Sequence, residues 1–143
     1  MTVSKEFLVL AAARNNAEWC AAMCRSHGLA SVFGPQDWTA AVRTPLFYPD
    51  AVTLVPTADA AMLVDRIDTS APGASVKDSF ADFDLTGSGF GVLFEAWPVI
   101  LAALHGLFPS VPVVGYEHGQ DVAASARHGF EPVGPLRVWM HGR

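Results

Sequence analysis

Charged side chains are scarce in this chain. Only 16% of its 143 residues are Asp, Glu, Lys or Arg, and the formal net charge is −5. A chain with this balance has no cationic field to attract the phosphates of a nucleic acid or of an anionic membrane. We therefore expect neither nucleic acid nor membrane among its partners.

Long apolar runs are also missing. The run from 92 to 104 contains Glu95 and Pro98, and it is shorter than the roughly 20 residues that a membrane-spanning helix needs. Near the N-terminus, Lys5 and Glu6 stand beside a short apolar stretch that lacks the longer core and cleavage site of a secretion signal. These absences predict a cytoplasmic protein.

Cysteine is limited to Cys20 and Cys24, which lie four residues apart in a segment with helical spacing. A metal site would need further ligands, and His27 is the single nearby candidate. Because free cysteines are usually buried as small apolar side chains, we expect both to lie in the core and expect no bound metal.

Several well-known catalytic motifs are absent. The chain has no Gly-x-Ser-x-Gly elbow, no His-Glu-x-x-His pair and no complete Walker loop. Serine hydrolase, zinc protease and nucleotide triphosphatase chemistries of the standard kinds are therefore disfavoured.

The apolar periodicity and the turn residues predict alternating helices and strands in one α/β domain over residues 1–143. In the first half we predict a helix capped by Asn15 or Asn16 that ends at Gly28, a strand 51–55, a helix 60–67 after a cap at 57–59, and a strand 75–85. In the second half we predict a turn 86–89, a strand or buried helix start 90–97, a helix 99–108, a strand 111–116, a helix 121–128 and a last strand 136–140.

Candidate chemistry from the residues themselves is sparse. Glu117 and His118 follow a predicted central strand, at the end where α/β sheets present ligands, and His118 is a possible general base. The alternative is that Glu117 and His118 are exposed loop residues that make ordinary hydrogen bonds. The acidic group of 78–84 could bind a divalent cation or form a solvated strand face, and the second is favoured because no glycine-spaced calcium loop is present.

Residues 113–118, followed by 121–134 with Gly129-Phe130, resemble the end of the GNAT superfamily of N-acyltransferases. There, a strand leads into a short helix closed by Gly-Phe, and a final strand follows. Segments 48–54 and 76–82 are similar to parts of longer, uncharacterised GNAT-like proteins of actinobacteria. The resemblance implies a shortened GNAT-like fold with a mixed, mainly antiparallel sheet flanked by helices.

The superfamily's pyrophosphate loop resembles 86–91, in which Gly87, Gly89 and Gly91 match its glycines and Thr86 replaces a basic or amide residue. Such a loop would leave backbone N–H groups free at a helix N-terminus. A simple glycine turn is the alternative. The resemblance also aligns Ser125 with the usual Tyr general acid and His118 with a cofactor-binding Asn.

The resemblance implies an enzyme that transfers an acyl group from acetyl-CoA or another acyl-CoA to a small-molecule amine. Thr86, Gly87, Gly89 and Gly91 would hold the cofactor, and Glu117 or His118 would take the proton of the amine. Two alternatives remain open: a catalytically silent module that binds a small ligand or dimerises, and an enzyme that uses the same cleft without CoA.

We expect the protein to form a homodimer, because 51% of its residues are hydrophobic and few charges keep its surface solvated. Light scattering at micromolar concentrations should give about twice the 15.2 kDa of one chain. A mass near that of one chain across this range would contradict the prediction.

Overall fold

The fold is a mainly antiparallel sheet with helices on both faces. The computed structural model describes residues 4–101 and 114–142 of the chain. The described residues form three α-helices: α1 Lys5–Ser26, α2 Ala60–Asp65 and α3 Gln120–Arg127. They also form eight strands: β1 Val32–Phe33, β2 Asp37–Thr39, β3 Ala51–Thr53, β4 Ser75–Asp78, β5 Phe90–Leu101, β6 Val114–Glu117, β7 Phe130–Pro132 and β8 Leu136–His141. This architecture confirms the predicted fold class.

The strands are ordered β1-β2-β3-β4-β8-β5-β6, and the β3–β4 pair is the parallel one among them. The long strand β5 organises the C-terminal half. Its first part pairs with β8, and its last part pairs with β7 along the same edge and with β6 along the other. Because β6 stands last in this order, the described sheet does not support the expectation that Glu117 and His118 follow a central strand.

Helix α1 crosses one face of the sheet. It begins at Ser4, whose Oγ accepts a hydrogen bond from the backbone N–H of Phe7 at 3.2 Å, and it ends at His27 before the left-handed Gly28. The predicted end is confirmed. The predicted start at Asn15 or Asn16 is wrong, because alanine-rich turns continue the helix backwards to Ser4 and leave Asn16 buried in its middle.

The opposite face of the sheet is covered by α2 and by the loop that follows β4. Asp59 caps α2 as predicted, since its Oδ1 accepts a hydrogen bond from the Met62 N–H at 3.0 Å. Strand alternation places Val76 on the α2 face and Lys77 on the α1 face. Each face therefore has its own apolar core: Leu63, Val76, Phe83, Leu85, Phe90 and Trp139 on the α2 side, and Ala17, Cys20, Cys24, Trp38, Val52 and Leu54 on the α1 side.

Two predicted elements near the middle of the chain are wrong. The strand predicted over 75–85 ends at Asp78, where the chain turns. The helix predicted over 99–108 is replaced at 99–101 by the end of β5, and the rest of it lies outside the described residues. Strand pairing gives the physical reason, because residues 99–101 pair with β7 and two of them also pair with β6, while the Pro98 carbonyl accepts a hydrogen bond from the Val133 N–H at 2.9 Å.

The C-terminal elements agree with the sequence pattern. Strand β6 matches the end of the strand predicted over 111–116, whose start lies outside the described residues. Helix α3 and strand β8 occur within a residue of their predicted positions. Within the described residues, no helix is both long and apolar enough to cross a membrane.

Asp78 corrects the prediction of a solvated acidic strand face. Its side chain is fully buried, and its carboxylate accepts hydrogen bonds from the N–H groups of Asp82 and Phe83 and from Nε1 of Trp139 at 3.2, 3.0 and 3.4 Å. Burial raises its pKa in spite of these donors. Asp78 therefore fixes the turn that carries the core residue Phe83.

Replacing Asp78 with alanine should lower the free energy of unfolding by about 3 kcal/mol, because the buried N–H groups of Phe83 and Trp139 would lose their acceptor. Urea denaturation at pH 7 measures this change. The matched control is Asp65→Ala on the exposed side of α2, which should change stability by less than about 0.5 kcal/mol. Equal stability of the two variants would refute a structural role for Asp78.

Candidate binding cleft

Residues 86–91 form a tight turn that enters a strand. Thr86–Ser88 is one turn of 3-10 helix, Gly89 is left-handed with φ 83°, and β5 follows directly. The N–H groups of Ser88 and Phe90 both donate to the Leu85 carbonyl, at 3.0 and 3.2 Å. The α-helix that the resemblance implies after this loop is therefore absent, which supports the alternative of a glycine turn.

The remaining amides of this turn are also largely engaged. The Thr86 N–H donates to Asp84 Oδ1 at 3.0 Å, and the Gly89 N–H donates to the Thr86 carbonyl at 3.2 Å. Gly91 lies in the β5–β8 ladder opposite Met140. An arriving pyrophosphate would have to displace these bonds and approach the carboxylate of Asp84, so the turn offers no preformed cradle.

Glu117 and His118 lie at the other end of β5. Glu117 ends β6 opposite Trp97, and the exposed His118 packs its ring 6.1 Å from that of Phe94. Gly91 and Trp97 are six residues apart on one strand, which corresponds to about 20 Å. The structure thus keeps His118 and Glu117 well apart from the 86–91 turn.

Ser125 is on α3, and its hydroxyl donates to the Val122 carbonyl of the same helix at 2.8 Å. This back-bond occupies the proton that a general acid would have to supply. His118 and Glu117 precede α3, but no hydrogen bond joins them to Ser125 within the described chain. Acyl transfer from acyl-CoA by these residues stays a prediction.

A cleft opens on the α1 face of the sheet. Its volume is about 850 Å³, which falls within the range of small-molecule sites. It lies between α1, the loop 46–49 and the side chains of Lys77 on β4 and Tyr116 on β6. The sequence-based candidates Glu117, His118, Ser125 and 86–91 do not line it.

Lys77 is the cation of this cleft. Its Nζ donates to Asn16 Oδ1 at 3.0 Å and lies 4.0 Å from the centre of the Tyr116 ring. Within residues 4–101 and 114–142, no carboxylate lies within 4.0 Å of this ammonium. Desolvation in this setting lowers the pKa of Lys77 to about 8.

Asn16 supplies a second donor at the same place. The residue is only 6% exposed, and with its Oδ1 accepting from Lys77, its Nδ2 has no hydrogen-bond partner in the described structure. A buried amide donor without a partner costs roughly 1–3 kcal/mol. Within the described residues, the Asn16 Nδ2 has no acceptor, and the Lys77 ammonium has one, Asn16 Oδ1, for its three N–H groups.

Two ionisable groups near Lys77 are uncharged at neutral pH. Burial raises the pKa of the Cys20 thiol to about 11, although the positive charge of Lys77 opposes the shift. Burial also raises the pKa of Tyr116, whose hydroxyl donates to the Ala12 carbonyl at 2.7 Å. Among the described residues that line the cleft, the one acid is Glu18, which is exposed and paired with Arg14 at 3.2 Å.

The rim of the cleft is apolar and exposed. The side chains of Trp19, Leu46 and Phe47 are 62%, 80% and 94% exposed. Phe47 also has a left-handed φ of 75°, which non-glycine residues rarely adopt. The loop is nevertheless fixed at its base, because the buried Asp50 accepts from the Thr44 N–H at 2.8 Å through Oδ1 and from the Ser75 N–H at 2.9 Å through Oδ2.

Sequence reasoning placed the cysteines correctly, because Cys20 and Cys24 are both free and buried. It missed Lys77 and treated Asn16 only as a helix cap. One signal was available: Lys77 is one of only two lysines, and it stands next to Val76 in a predicted strand. The unpaired amide of Asn16 has no sequence signature, since it depends on which side of α1 meets the sheet.

The lowered pKa of Lys77 predicts a stability that rises with alkaline pH. Between about pH 8 and 10.5 the unfolded chain keeps the Lys77 proton and the folded chain has released it, so raising the pH favours folding. Relative to Lys77→Met, the wild-type free energy of unfolding should rise by about 2–3 kcal/mol across this window. Urea denaturation at several pH values measures it, and Lys5→Met should follow the wild type. If the free energies of unfolding of wild type and Lys77→Met change in parallel with pH, the lowered pKa of Lys77 is refuted.

Comparisons of the chain with protein-family models, with curated proteins and with solved structures found no match. A relationship to the GNAT superfamily therefore stays a prediction based on the C-terminal residues that resemble it.

Proposed function

We propose that this protein binds a small organic anion in the cleft between α1 and the sheet. The observation that carries the proposal is the pair of donors at its floor, the Lys77 ammonium and the Asn16 Nδ2, which have no acceptor for their free N–H groups within the described residues. A carboxylate or phosphate oxygen would accept from both. The proposal corresponds to the ligand-binding alternative that the sequence left open.

Energetics favour an anion over a neutral ligand. A partly buried ammonium without a counter-ion has lost hydration that one amide oxygen and one aromatic ring replace only in part, and this loss lowers its pKa. A charge-assisted hydrogen bond from Lys77 to a ligand oxygen would restore about 1.5–3 kcal/mol. The exposed Trp19 and Phe47 at the rim would cover an apolar group attached to that anion.

The probe is 3-phenylpropanoate, with 3-phenylpropanamide as its uncharged counterpart of nearly the same shape. At pH 7 the carboxylate should bind at least about tenfold more tightly than the amide, and Lys77→Met should weaken carboxylate binding by about 10- to 100-fold. Amide NMR shifts of Asn16 and Tyr116 report binding at this site. Lys5→Met, on the exposed first turn of α1, is the matched control and should bind as the wild type does.

The affinity should also fall as the pH rises through about 8, because the neutral amine of Lys77 cannot pair with an anion. Circular dichroism of Lys77→Met verifies that the variant is folded before its affinity is interpreted. Equal affinities for carboxylate and amide, or no shift at Asn16 with the carboxylate and with phenyl phosphate at 10 mM, would overturn the proposal.

A further inference from the structure

The amine of Lys77 is placed for chemistry as well as for binding. Lys77 lines a cleft that opens to solvent. Its contacts are one amide oxygen and one aromatic face, Asn16 Oδ1 at 3.0 Å and the Tyr116 ring at 4.0 Å. Neither contact carries a full negative charge that would hold the proton on the nitrogen.

This setting gives Lys77 an available lone pair at neutral pH. With a pKa of about 8, roughly a fifth of the molecules carry the neutral amine at pH 7.4. An ordinary lysine with a pKa of about 10.4 has only about one neutral amine in a thousand at that pH. Desolvated lysines of this kind are the ones that add to carbonyl groups.

A second group could assist such an addition. The Nδ2 of Asn16 is a buried donor without a partner, and it belongs to the same amide whose oxygen contacts Lys77 Nζ. Because Nδ2 is buried, the Asn16 side chain would have to turn towards the cleft to donate to the oxygen of a carbonyl compound whose carbon approaches Nζ. A hydrogen bond there would stabilise the negative charge that forms on the oxygen during attack.

We propose that Lys77 forms an imine with an aldehyde or ketone that enters the cleft, and that Asn16 polarises its carbonyl oxygen. The nitrogen lone pair forms the C–N bond while the carbonyl π pair moves to oxygen, which takes a proton from water. The nitrogen then loses one proton to solvent to give the carbinolamine. The hydroxyl takes up a proton from solvent and leaves as water while the nitrogen lone pair forms the C=N bond, and the nitrogen releases its second proton to solvent. The sum is amine plus carbonyl giving imine plus water, with no oxidant or reductant.

This inference goes beyond the proposed anion binding and does not rest on it, since the neutral amine reacts and the ammonium binds anions. The two also fail separately. Lys77 could still form the imine if the cleft does not bind 3-phenylpropanoate, and the cleft could bind the anion without any imine being formed.

The probe is 3-phenylpropanal, added to the whole protein at pH 7.4 with sodium cyanoborohydride, which reduces an imine to a stable secondary amine. Peptide mass spectrometry then compares Lys77 with Lys5, the other lysine of the chain, which is exposed and serves as an internal control. We expect Lys77 to be labelled at least about tenfold faster than Lys5. This factor is smaller than the ratio of the neutral-amine fractions of the two lysines, because a lowered pKa also reduces the intrinsic nucleophilicity of the amine. The same reaction in 8 M urea should remove the preference.

Asn16→Asp tests the role of the neighbouring amide with little change in shape. A carboxylate beside Lys77 would raise the pKa of Lys77, and the substitution would remove the Nδ2 donor. The labelling rate of Lys77 should therefore fall to about that of Lys5. A thermal melt verifies that this variant is folded, and Asn15→Asp on the same rim is its matched control with unchanged labelling. Equal labelling of Lys77 and Lys5 in the folded wild type, or an undiminished preference in folded Asn16→Asp, would overturn the proposal.

Discussion

The cleft depends on the buried carboxylate of Asp50. This side chain is 1% exposed, and its two oxygens accept hydrogen bonds from two different segments, the Thr44 N–H at 2.8 Å and the Ser75 N–H at 2.9 Å. The first bond fixes the base of the loop that carries Leu46 and Phe47, and the second fixes the start of β4, two residues before Lys77. One side chain thus sets the distance between the wall of the cleft and its cation. Because a buried charge is tolerated only when it is hydrogen-bonded, this arrangement resists distortion.

The chain treats its buried charges in two different ways. Asp50 and Asp78 have their oxygens satisfied by backbone N–H groups, and Asp37 pairs with Arg66 at 2.6 Å. Lys77 receives no such compensation from the described residues beyond one amide oxygen. Structural charges are normally paired, because an unpaired one costs stability without any return. This contrast supports the proposal that Lys77 holds a ligand.

Sequence reasoning succeeded where local signals agree with the tertiary structure. Asp59 as a cap of α2, Gly28 as the end of α1 and the C-terminal α3 and β8 were all predicted from short-range patterns. It failed where packing decides between equally apolar alternatives, as at Val99–Leu101, which form strand because β6 and β7 pair with them. The candidate cleft could not be predicted for a related reason: Asn16, Lys77 and Tyr116 are distant in the sequence and meet only when α1 crosses the sheet.

The same two side chains support two kinds of chemistry because the pKa of Lys77 lies close to neutral pH. An ordinary lysine is almost fully charged there and binds anions without reacting, and a lysine with a pKa near 6 would react without holding an anion. At about 8, the ammonium predominates at pH 7 and a substantial minority is the free amine. Asn16 is useful to both forms, since its Nδ2 donates equally well to a carboxylate oxygen and to a carbonyl oxygen. If both proposals hold, protonation of a single nitrogen would decide whether a ligand in this cleft is held by charge or captured as an imine.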